Sequence, residues 1–189
     1  MADWGSPFLN ALDALNRCYC RRFHRLQGRI PLPPRGPAIV AANHLSGLDP
    51  ALLIAASPRP LRFLIARDQY QRPLLRWLFH AMGCIPVERF HPHGLALREA
   101  LKALERGEVV ALFPEGGLHL HRVKPGVAWL ARNAGCPIHP VRIEGVRGQG
   151  HIFWPYLLPG RVRVHPYPPL ACGEEGACLK ALARALFGD

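Results

Sequence analysis

AIVAANHLSGLDPALLIAA, residues 38–56, contains a β-branched run, a polar turn and an apolar run in immediate succession. The first run, 38–42, favours a buried strand. Pro50 suits the first turn of a helix, because its φ is preset and the N–H that it lacks would be unpaired there. A strand that passes directly into a helix predicts one unit of an α/β domain.

The same alternation continues along the chain. Near-continuous apolar runs such as 109–113 (VVALF) suit the buried centre of a parallel sheet. We therefore predict the α/β class, with a mostly parallel central sheet flanked by helices. The predicted strands are 38–42, 61–65, 84–87, 109–113, 138–143 and 162–165. The predicted helices after the N-terminal region are 49–56, 69–82, 94–106, 125–133 and 174–187.

Residues 6–27 have the spacing of an amphipathic helix. Such a helix either lies in a membrane interface or packs its apolar face on the domain and leaves its arginines in water. We divide the chain into this helix at 1–30, a candidate interfacial element, and a main domain at 31–189. The apolar positions are Phe8, Leu12, Leu15, Tyr19, Phe23 and Leu26, and the basic stripe is Arg17, Arg21 and Arg25, with Trp4 ahead of both.

The composition indicates a basic folded domain. The 189 residues include 24 Lys and Arg against 13 Asp and Glu, a net charge of +11. Such a chain attracts phosphates, anionic lipids, an acidic carrier protein or nucleic acid. No window of about 18 uncharged apolar residues occurs, so no transmembrane span is predicted. The six cysteines lack a CxxC pair and fit a reducing cytoplasm, where they act as small buried hydrophobes.

A histidine and an aspartate follow the run 38–42, five residues apart, with Gly47 between them. Ligands bind at the carboxyl ends of strands in open α/β folds. A tight turn could bring the Asp49 carboxylate to one imidazole nitrogen of His44 and leave the other nitrogen as a general base. Alternatively, Asp49 is the N-cap of the following helix and His44 is structural.

Further polar residues follow other predicted strands. Arg89 lies just beyond the third strand and could grip a phosphate at the same rim, or be an ordinary exposed arginine. Glu115 precedes Gly116 and Gly117 after the fourth strand, where backbone N–H groups could face an anion or simply form a turn. Lys124 opens the next helix.

In order, the chain contains NHxxxxD (43–49), GxIPVxR (83–89), FPEG (113–116), KPG (124–126) and PIxPV (137–141). This series closely resembles the glycerolipid acyltransferase family, whose best-known members are the 1-acylglycerol-3-phosphate acyltransferases. The resemblance covers roughly residues 38–145. Each motif alone is short, but five in this order, each at a predicted strand end, make the match specific.

The resemblance implies an O-acyltransferase that moves a fatty acyl chain from acyl-CoA or acyl carrier protein to a lysophospholipid hydroxyl. The first candidate acceptor is 1-acylglycerol-3-phosphate, which would give phosphatidic acid. His44 would be the general base, and Asp49 would orient it. Substrate binding would fall to Asn43, Arg89, Glu115, Gly116, Gly117 and Lys124.

The resemblance also implies that no metal or bound cofactor takes part, and the spread of the arginines, without interleaved aromatic residues, argues against nucleic acid as a partner. The enzyme would be peripheral (monotopic) at the cytoplasmic face of the cell membrane, against an anionic membrane surface. One departure concerns the acceptor. Family members often continue FPEG with Thr and Arg, whereas this chain has Gly117 and Leu118. Arg122 could replace that arginine, or the acceptor could be another lysolipid, such as a lyso-ornithine lipid.

Other functions remain open at this point. A GxSxG elbow is absent, but a Cys84–His44 pair could act as a cysteine hydrolase, and water could replace the acceptor in a thioesterase. The HxH pairs at 91–93 and 119–121 could bind a metal, although exposed loop histidines are the simpler interpretation. A membrane-binding module without chemistry is also possible. For an apolar groove that sets acyl-chain length, the candidates are Leu74, Trp77, Leu78, Phe79 and Trp129, with ordinary core as the alternative.

Overall fold

A computed structural model describes residues 2–88 and 94–188, together with their helices and strands. The strands are β1 (Ala38–Ala42), β2 (Leu61–Ala66), β3 (Ile85–Val87), β4 (Val109–Leu112), β5 (Ile138–Glu144) and β6 (Arg163–Pro166). The helices are α1 (Pro7–Arg22), α2 (Asp49–Ala56), α3 (Arg67–Tyr70), α4 (Pro73–Ala81), α5 (Leu95–Glu105), α6 (Gly126–Ala134), α7 (Trp154–Leu157) and α8 (Glu175–Phe187). The predicted α/β class is confirmed.

The strands of the described chain form a six-stranded sheet in the order β3-β2-β4-β1-β5-β6. β1 pairs in parallel with β4 on one side and with β5 on the other, and β6 alone among these strands runs antiparallel to its neighbour. Every residue of β1 is buried, as expected for a central parallel strand. Because β1 and β4 are parallel neighbours, the turns that follow them meet at one edge of the sheet.

The sheet has a hydrophobic core on each face. Alternate residues of β1 point to opposite faces, with Val40 in the core that includes α2 and Ile39 in the core under α5, α6 and α8. Cys20 places α1 on the α2 side, and Phe79 of α4 packs against that same core. This arrangement puts α1, α2 and α4 on the face of the sheet opposite to α5, α6 and α8.

Two elements differ from the sequence prediction. The helix predicted at 69–82 is two helices, α3 and α4, because Pro73 lacks an N–H and disfavours a helical conformation at the residue before it. Pro73 instead occupies the first turn of α4. The four-residue helix α7 was not predicted, since so short an element has no measurable periodicity.

The N-terminal helix ends at Arg22, five residues before the predicted end, and only part of the predicted apolar face is buried. Leu12, Tyr19 and Leu26 are partly buried, the last two against the core, whereas Phe8, Leu15 and Phe23 remain exposed. The apolar stripe is therefore divided between the domain and the surface.

Arg17, predicted on a solvated stripe, instead attaches α1 to α2. Its Nε lies 2.8 Å from Asp13 Oδ2, and its two terminal nitrogens donate to the carbonyl oxygens of Ala55 (2.9 Å) and Ser57 (2.7 Å). These carbonyls lie at the carboxyl end of α2, where backbone oxygens lack helical partners. The guanidinium thus holds α1 on the helix that begins with Asp49.

The cysteine prediction holds for three positions and is wrong for the others. Cys20, Cys84 and Cys136 are buried, and burial raises the pKa of their thiols to about 12, 11 and 11 respectively. Cys18 is exposed. Cys172 and Cys178 form a disulfide across the first turn of α8, with their Cα atoms 5.1 Å apart, a proximity that sequence spacing alone did not reveal.

His139 on β5 makes stability depend on pH. The side chain is buried, neither ring nitrogen has a partner among the described residues, and burial lowers its pKa below 6.5. The unfolded chain therefore binds a proton at a pH where the folded chain does not. Stability should be full above pH 6.5 and decline as the pH falls from there toward the folded-state pKa.

His139→Leu should make that decline shallower, as measured by urea unfolding at a series of pH values from about 5 to 8. The decline should not vanish, because burial also lowers the pKa of His24. His151→Leu changes an exposed histidine and is the control. An unchanged dependence in His139→Leu would contradict the assignment.

Candidate active site

The predicted contact between His44 and Asp49 is present. His44 Nδ1 lies 2.9 Å from Asp49 Oδ2, and the carboxylate is completely buried. The backbone N–H groups of Leu45 and Ser46 donate to Oδ2 at 2.6 and 2.8 Å, and Ser46 Oγ donates to Oδ1 at 3.0 Å. These donors compensate the carboxylate for the water that it loses on burial.

The alternative interpretation of Asp49 as a helix N-cap is wrong. Asp49 is the first residue of α2, its N-cap position is Leu48, and no side-chain cap is present. The carboxylate instead accepts hydrogen bonds from the turn at 44–46. Ser46, which supports the carboxylate, was missed in the sequence, although its position three residues before Asp49 is a signal for such a turn.

The imidazole of His44 is fixed on both its edge and its face. Its ring lies 4.1 Å from the ring of Phe113, with an interplanar angle of 13°. A carboxylate can only accept a hydrogen bond, so Nδ1 carries the proton of the neutral ring and Nε2 has the free lone pair. In the described chain no hydrogen bond occupies Nε2, and His44 borders the groove described below.

Glu115 is buried and binds two loops. His44 N–H donates to Oε1 at 2.7 Å, and His121 N–H donates to Oε2 at 2.8 Å. The carboxylate thus joins the turn after β1 to the loop after β4. We infer that Glu115 holds the site together through the main chain, and its predicted contact with an acceptor stays a prediction.

Asn43 also binds the main chain. Its Nδ2 donates to Ile143 O at 3.0 Å, and its Oδ1 accepts from Ile143 N–H at 2.7 Å. The side chain extends the pairing of β1 with β5 by one residue beyond the strand. Asn43 thus braces the two strands, and its predicted role in substrate binding stays a prediction.

The other predicted binding residues lie at the same edge of the sheet. Gly116 has a φ of +75°, a left-handed conformation that favours glycine. The Lys124 side chain lies against it, and Gly117 borders the groove. Lys124 is exposed, and its own N–H donates to Pro114 O at 2.9 Å. Arg89 falls outside the described residues.

A mostly apolar groove of about 790 Å³ opens beside His44. Its volume is within the usual range for sites that bind small molecules. Of the residues predicted to form the groove, Leu78 and Phe79 line it. Trp129 lies on α6, on the other face of the sheet, so the prediction is wrong for Trp129. Trp77 lies at the surface, and the Leu74 side chain is outside the described part. Further lining residues are Leu9, Leu12, Ile54, Phe63, Leu75 and Met82.

Residues 24–144 match the model of a protein family described as Acyltransferase. The chain belongs to this acyltransferase family. It is 34% identical over 127 residues to a Mycoplasma genitalium protein named "Probable 1-acyl-sn-glycerol-3-phosphate acyltransferase", covering 61% of this chain and 47% of the relative. It is 32% identical over 116 residues to the lyso-ornithine lipid O-acyltransferase of Pseudomonas aeruginosa, covering 59% and 44%. The chain thus spans about half the length of these curated relatives.

A crystal structure shows the same fold. The 1-acyl-sn-glycerophosphate acyltransferase of Thermotoga maritima superposes with a TM-score of 0.67 and 22% identity. The match covers 97% of this chain and 81% of the Thermotoga chain. This chain therefore shares its fold with the Thermotoga protein over nearly its own whole length, α1 included.

A segment of the acyltransferase that the sequence did not single out, 147–158, holds the turn after His44. Gly47 N–H donates to His151 O at 3.1 Å, and Gly150 N–H donates to Leu45 O at 2.8 Å. Tyr156 Oη donates to Gly47 O at 2.9 Å. The Ile152 main chain lies so close to Gly47 that a Cβ there would overlap it. Since these contacts join segments about 100 residues apart in the chain, no local pattern predicts them.

The loop after Glu115 contains an HxH pair, His119 and His121. Both residues have left-handed φ values, 54° and 47°, and His121 is exposed whereas His119 is half-buried. His119 N–H donates to His44 O at 3.0 Å, so this loop is bonded to the site through its main chain. In residues 2–88 and 94–188, no group of three or more His, Cys, Asp or Glu side chains could hold a metal ion. The pair at 91–93 lies outside those residues.

Cys84 borders the groove, as a cysteine hydrolase would require. Burial raises the pKa of its thiol to about 11, so the reactive thiolate is scarce near neutral pH. In the described residues no basic group forms a hydrogen bond with its sulfur. The geometry favours an inert packing role for Cys84.

Proposed function

We propose that this acyltransferase moves a fatty acyl chain from a thioester donor to the hydroxyl of a lysolipid, with His44 as the general base. The observation that carries this proposal is the orientation of His44. Nδ1 donates a hydrogen bond to Asp49, and the ring stacks on Phe113. This leaves Nε2 free on a side chain that borders an apolar groove. A lipid chain fits such a groove, and a hydroxyl beside Nε2 can lose its proton there.

The chemistry balances with these groups alone. Nε2 takes the proton of the acceptor hydroxyl as the hydroxyl oxygen bonds to the thioester carbonyl carbon. The tetrahedral intermediate collapses, the carbon–sulfur bond breaks, and the imidazolium returns its proton to the leaving thiolate. The buried Asp49 carboxylate stabilises the imidazolium between these steps. The scheme needs no acyl-enzyme, metal or bound cofactor, and either acyl-CoA or acyl carrier protein can supply the thioester.

The first candidate acceptor is 1-acylglycerol-3-phosphate. The exposed Lys124 ammonium lies beside Gly116 and the net charge is +11, both suited to a phosphate. The second candidate is a lyso-ornithine lipid, which has no phosphate. Leu118 borders the groove and occupies the position at which family members often have an arginine, so a phosphate-binding group is missing there. Relatives named for both activities match the chain at similar identity.

We also propose that the enzyme works peripherally at the cytoplasmic face of an anionic membrane, where thioester donors are available. No helix in the described ranges combines the length and apolar character that crossing a bilayer requires. The exposed side chains of Phe8, Leu15 and Phe23 on and just after α1, with Arg21 and Arg22 beside them, have the composition of an interfacial element.

Thiol release from a long-chain acyl-CoA tests the proposal. Wild-type protein should release thiol only when a lysolipid is present, and a panel of lysophosphatidate, lyso-ornithine lipid and neutral monoacylglycerol should identify the acceptor. Release without any acceptor would instead show a thioesterase. If acyl-CoA gives no release, acyl carrier protein is the donor to use, and failure with both would contradict an enzymatic role.

A further inference from the structure

Three side chains of the segment 152–157 are exposed without a structural reason. Phe153, Trp154 and Leu157 retain 65%, 59% and 68% of their accessible surface. Exposed apolar clusters of this kind mark interaction sites. We propose that the segment 152–157 inserts into the lipid interface as a second membrane contact, separate from α1. The inference rests on the proposed function, because it takes the acceptor to be a membrane lipid.

The segment lies where a lipid would enter the groove. Ile152, Phe153 and Tyr156 border the groove itself. The guanidinium of Arg72, just before α4, lies 5.3 Å from the centre of the Phe153 ring. On the other side of α4, the Trp77 ring lies 5.7 Å from the ring of Phe8 on α1. Elements α1, α4 and α7 thus form one apolar rim around the groove.

The charge on this rim suits anionic headgroups. Arg72 stacks on Phe153, and the exposed Arg76 precedes Trp77 on α4. Within the described chain neither arginine forms an ion pair. Tryptophan and arginine side chains together are favoured at the membrane–water boundary, where arginines are attracted to an anionic surface. A bilayer therefore fits this surface better than a neutral protein partner.

The membrane contact would also be bonded to the catalytic turn. The hydrogen bonds of His151, Gly150 and Tyr156 to residues 45–47 connect the segment to the turn between His44 and Asp49. Tyr19 of α1 donates its hydroxyl to Tyr156 O, so both membrane elements meet there. Insertion of 152–157 would place the groove opening, and with it Nε2 of His44, against the bilayer surface.

The first test is vesicle sedimentation without any substrate. The vesicles contain phosphatidylcholine and phosphatidylglycerol in roughly equal parts. The triple variant Phe153→Ser, Trp154→Ser and Leu157→Ser should bind about 100-fold more weakly than wild type, since three apolar side chains no longer enter the lipid. Leu95→Ser is the matched control, because Leu95 is 64% exposed on α5, across the sheet. Wild-type binding by the triple variant would overturn the proposal.

A second test does not depend on a polar triple variant that could fold poorly. One protein keeps Trp154 as its sole tryptophan and another keeps Trp129, with Phe replacing the others. Brominated phosphatidylcholine in the vesicles should quench Trp154 and leave Trp129, on the far face of the sheet, unquenched. Equal quenching of both, or none of Trp154, would overturn the proposal.

These tests separate the inference from the proposed function. Both use vesicles alone, so quenching of Trp154 supports membrane insertion even if no acyl transfer is ever detected. If the triple variant bound vesicles normally but required more acyl carrier protein for half-maximal transfer, the surface would belong to the carrier protein. That result would overturn the membrane assignment and leave the enzymatic proposal intact.

Discussion

Replacing His44 with alanine should lower the rate of acyl transfer by about 10²–10⁴-fold, the usual contribution of a positioned general base. The variant keeps the backbone N–H that donates to Glu115, and it loses the ring that stacks on Phe113. We therefore expect the fold to survive with a small fall in thermal stability. Thiol release in the presence of the best lysolipid acceptor measures the effect, and circular dichroism checks the fold.

His165→Ala is the control for that experiment. This histidine lies on β6, is partly exposed and contacts Glu144, away from the groove. Its removal should leave acyl transfer within about two-fold of wild type, as for ordinary surface substitutions. If His44→Ala kept a substantial fraction of wild-type activity, the base would be another group, and the mechanism built on Nε2 would be wrong.

The sequence predicted the catalytic edge of the sheet because its signals are local. The apolar run 38–42 predicts a buried central strand. The residues that follow such a strand lie at the carboxyl edge of the sheet, and this does not depend on the rest of the chain. Asp49 lies five residues after His44, with Gly47 between them, so the contact between the His44 ring and the Asp49 carboxylate could be anticipated from spacing alone. The boundaries of α2 were predicted correctly for the same reason.

The contacts that the sequence did not reveal join distant parts of the chain. Glu115 accepts hydrogen bonds from the N–H groups of His44 and His121, a pairing that is set by how two loops pack and that its predicted role at the acceptor did not include. Tyr156 bonds to Gly47 across 109 residues. Such bonds satisfy buried or crowded main-chain groups, and which groups need them depends on the finished fold.

The N-terminal helix shows why an amphipathic pattern does not identify the buried face. Phe8 and Leu15 belong to the predicted apolar stripe but remain exposed, whereas Asp13 and Arg17 face the domain. The reason is that α1 packs against the carboxyl end of α2, whose free carbonyls need donors, and Arg17 supplies them. Phe8 and Leu15 are consequently left at the surface.

Replacing Asp49 with asparagine should lower kcat by about 10²–10⁴-fold with little change in KM for either substrate. The amide is neutral, so it no longer stabilises the imidazolium that forms during the reaction. It also places two N–H donors where the carboxylate accepted from His44, Leu45 and Ser46. One or more of these groups must then lose its partner or turn away, which would misdirect Nε2.

Stability measurements separate this catalytic effect from damage to the turn. Asp49→Asn leaves buried donors without acceptors, so it should also lower the free energy of unfolding by about 1–3 kcal/mol. Ser46→Ala removes the 3.0 Å bond to Oδ1 and the 3.2 Å bond that Oγ accepts from Leu48 N–H, but it keeps the Asp49 charge, so it is the matched control. It should cost about 1–3 kcal/mol of stability and change kcat by less than about ten-fold. If the two variants lost activity in proportion to stability, Asp49 would be only a structural residue of the turn, and the charge that we assign to it in catalysis would be unnecessary.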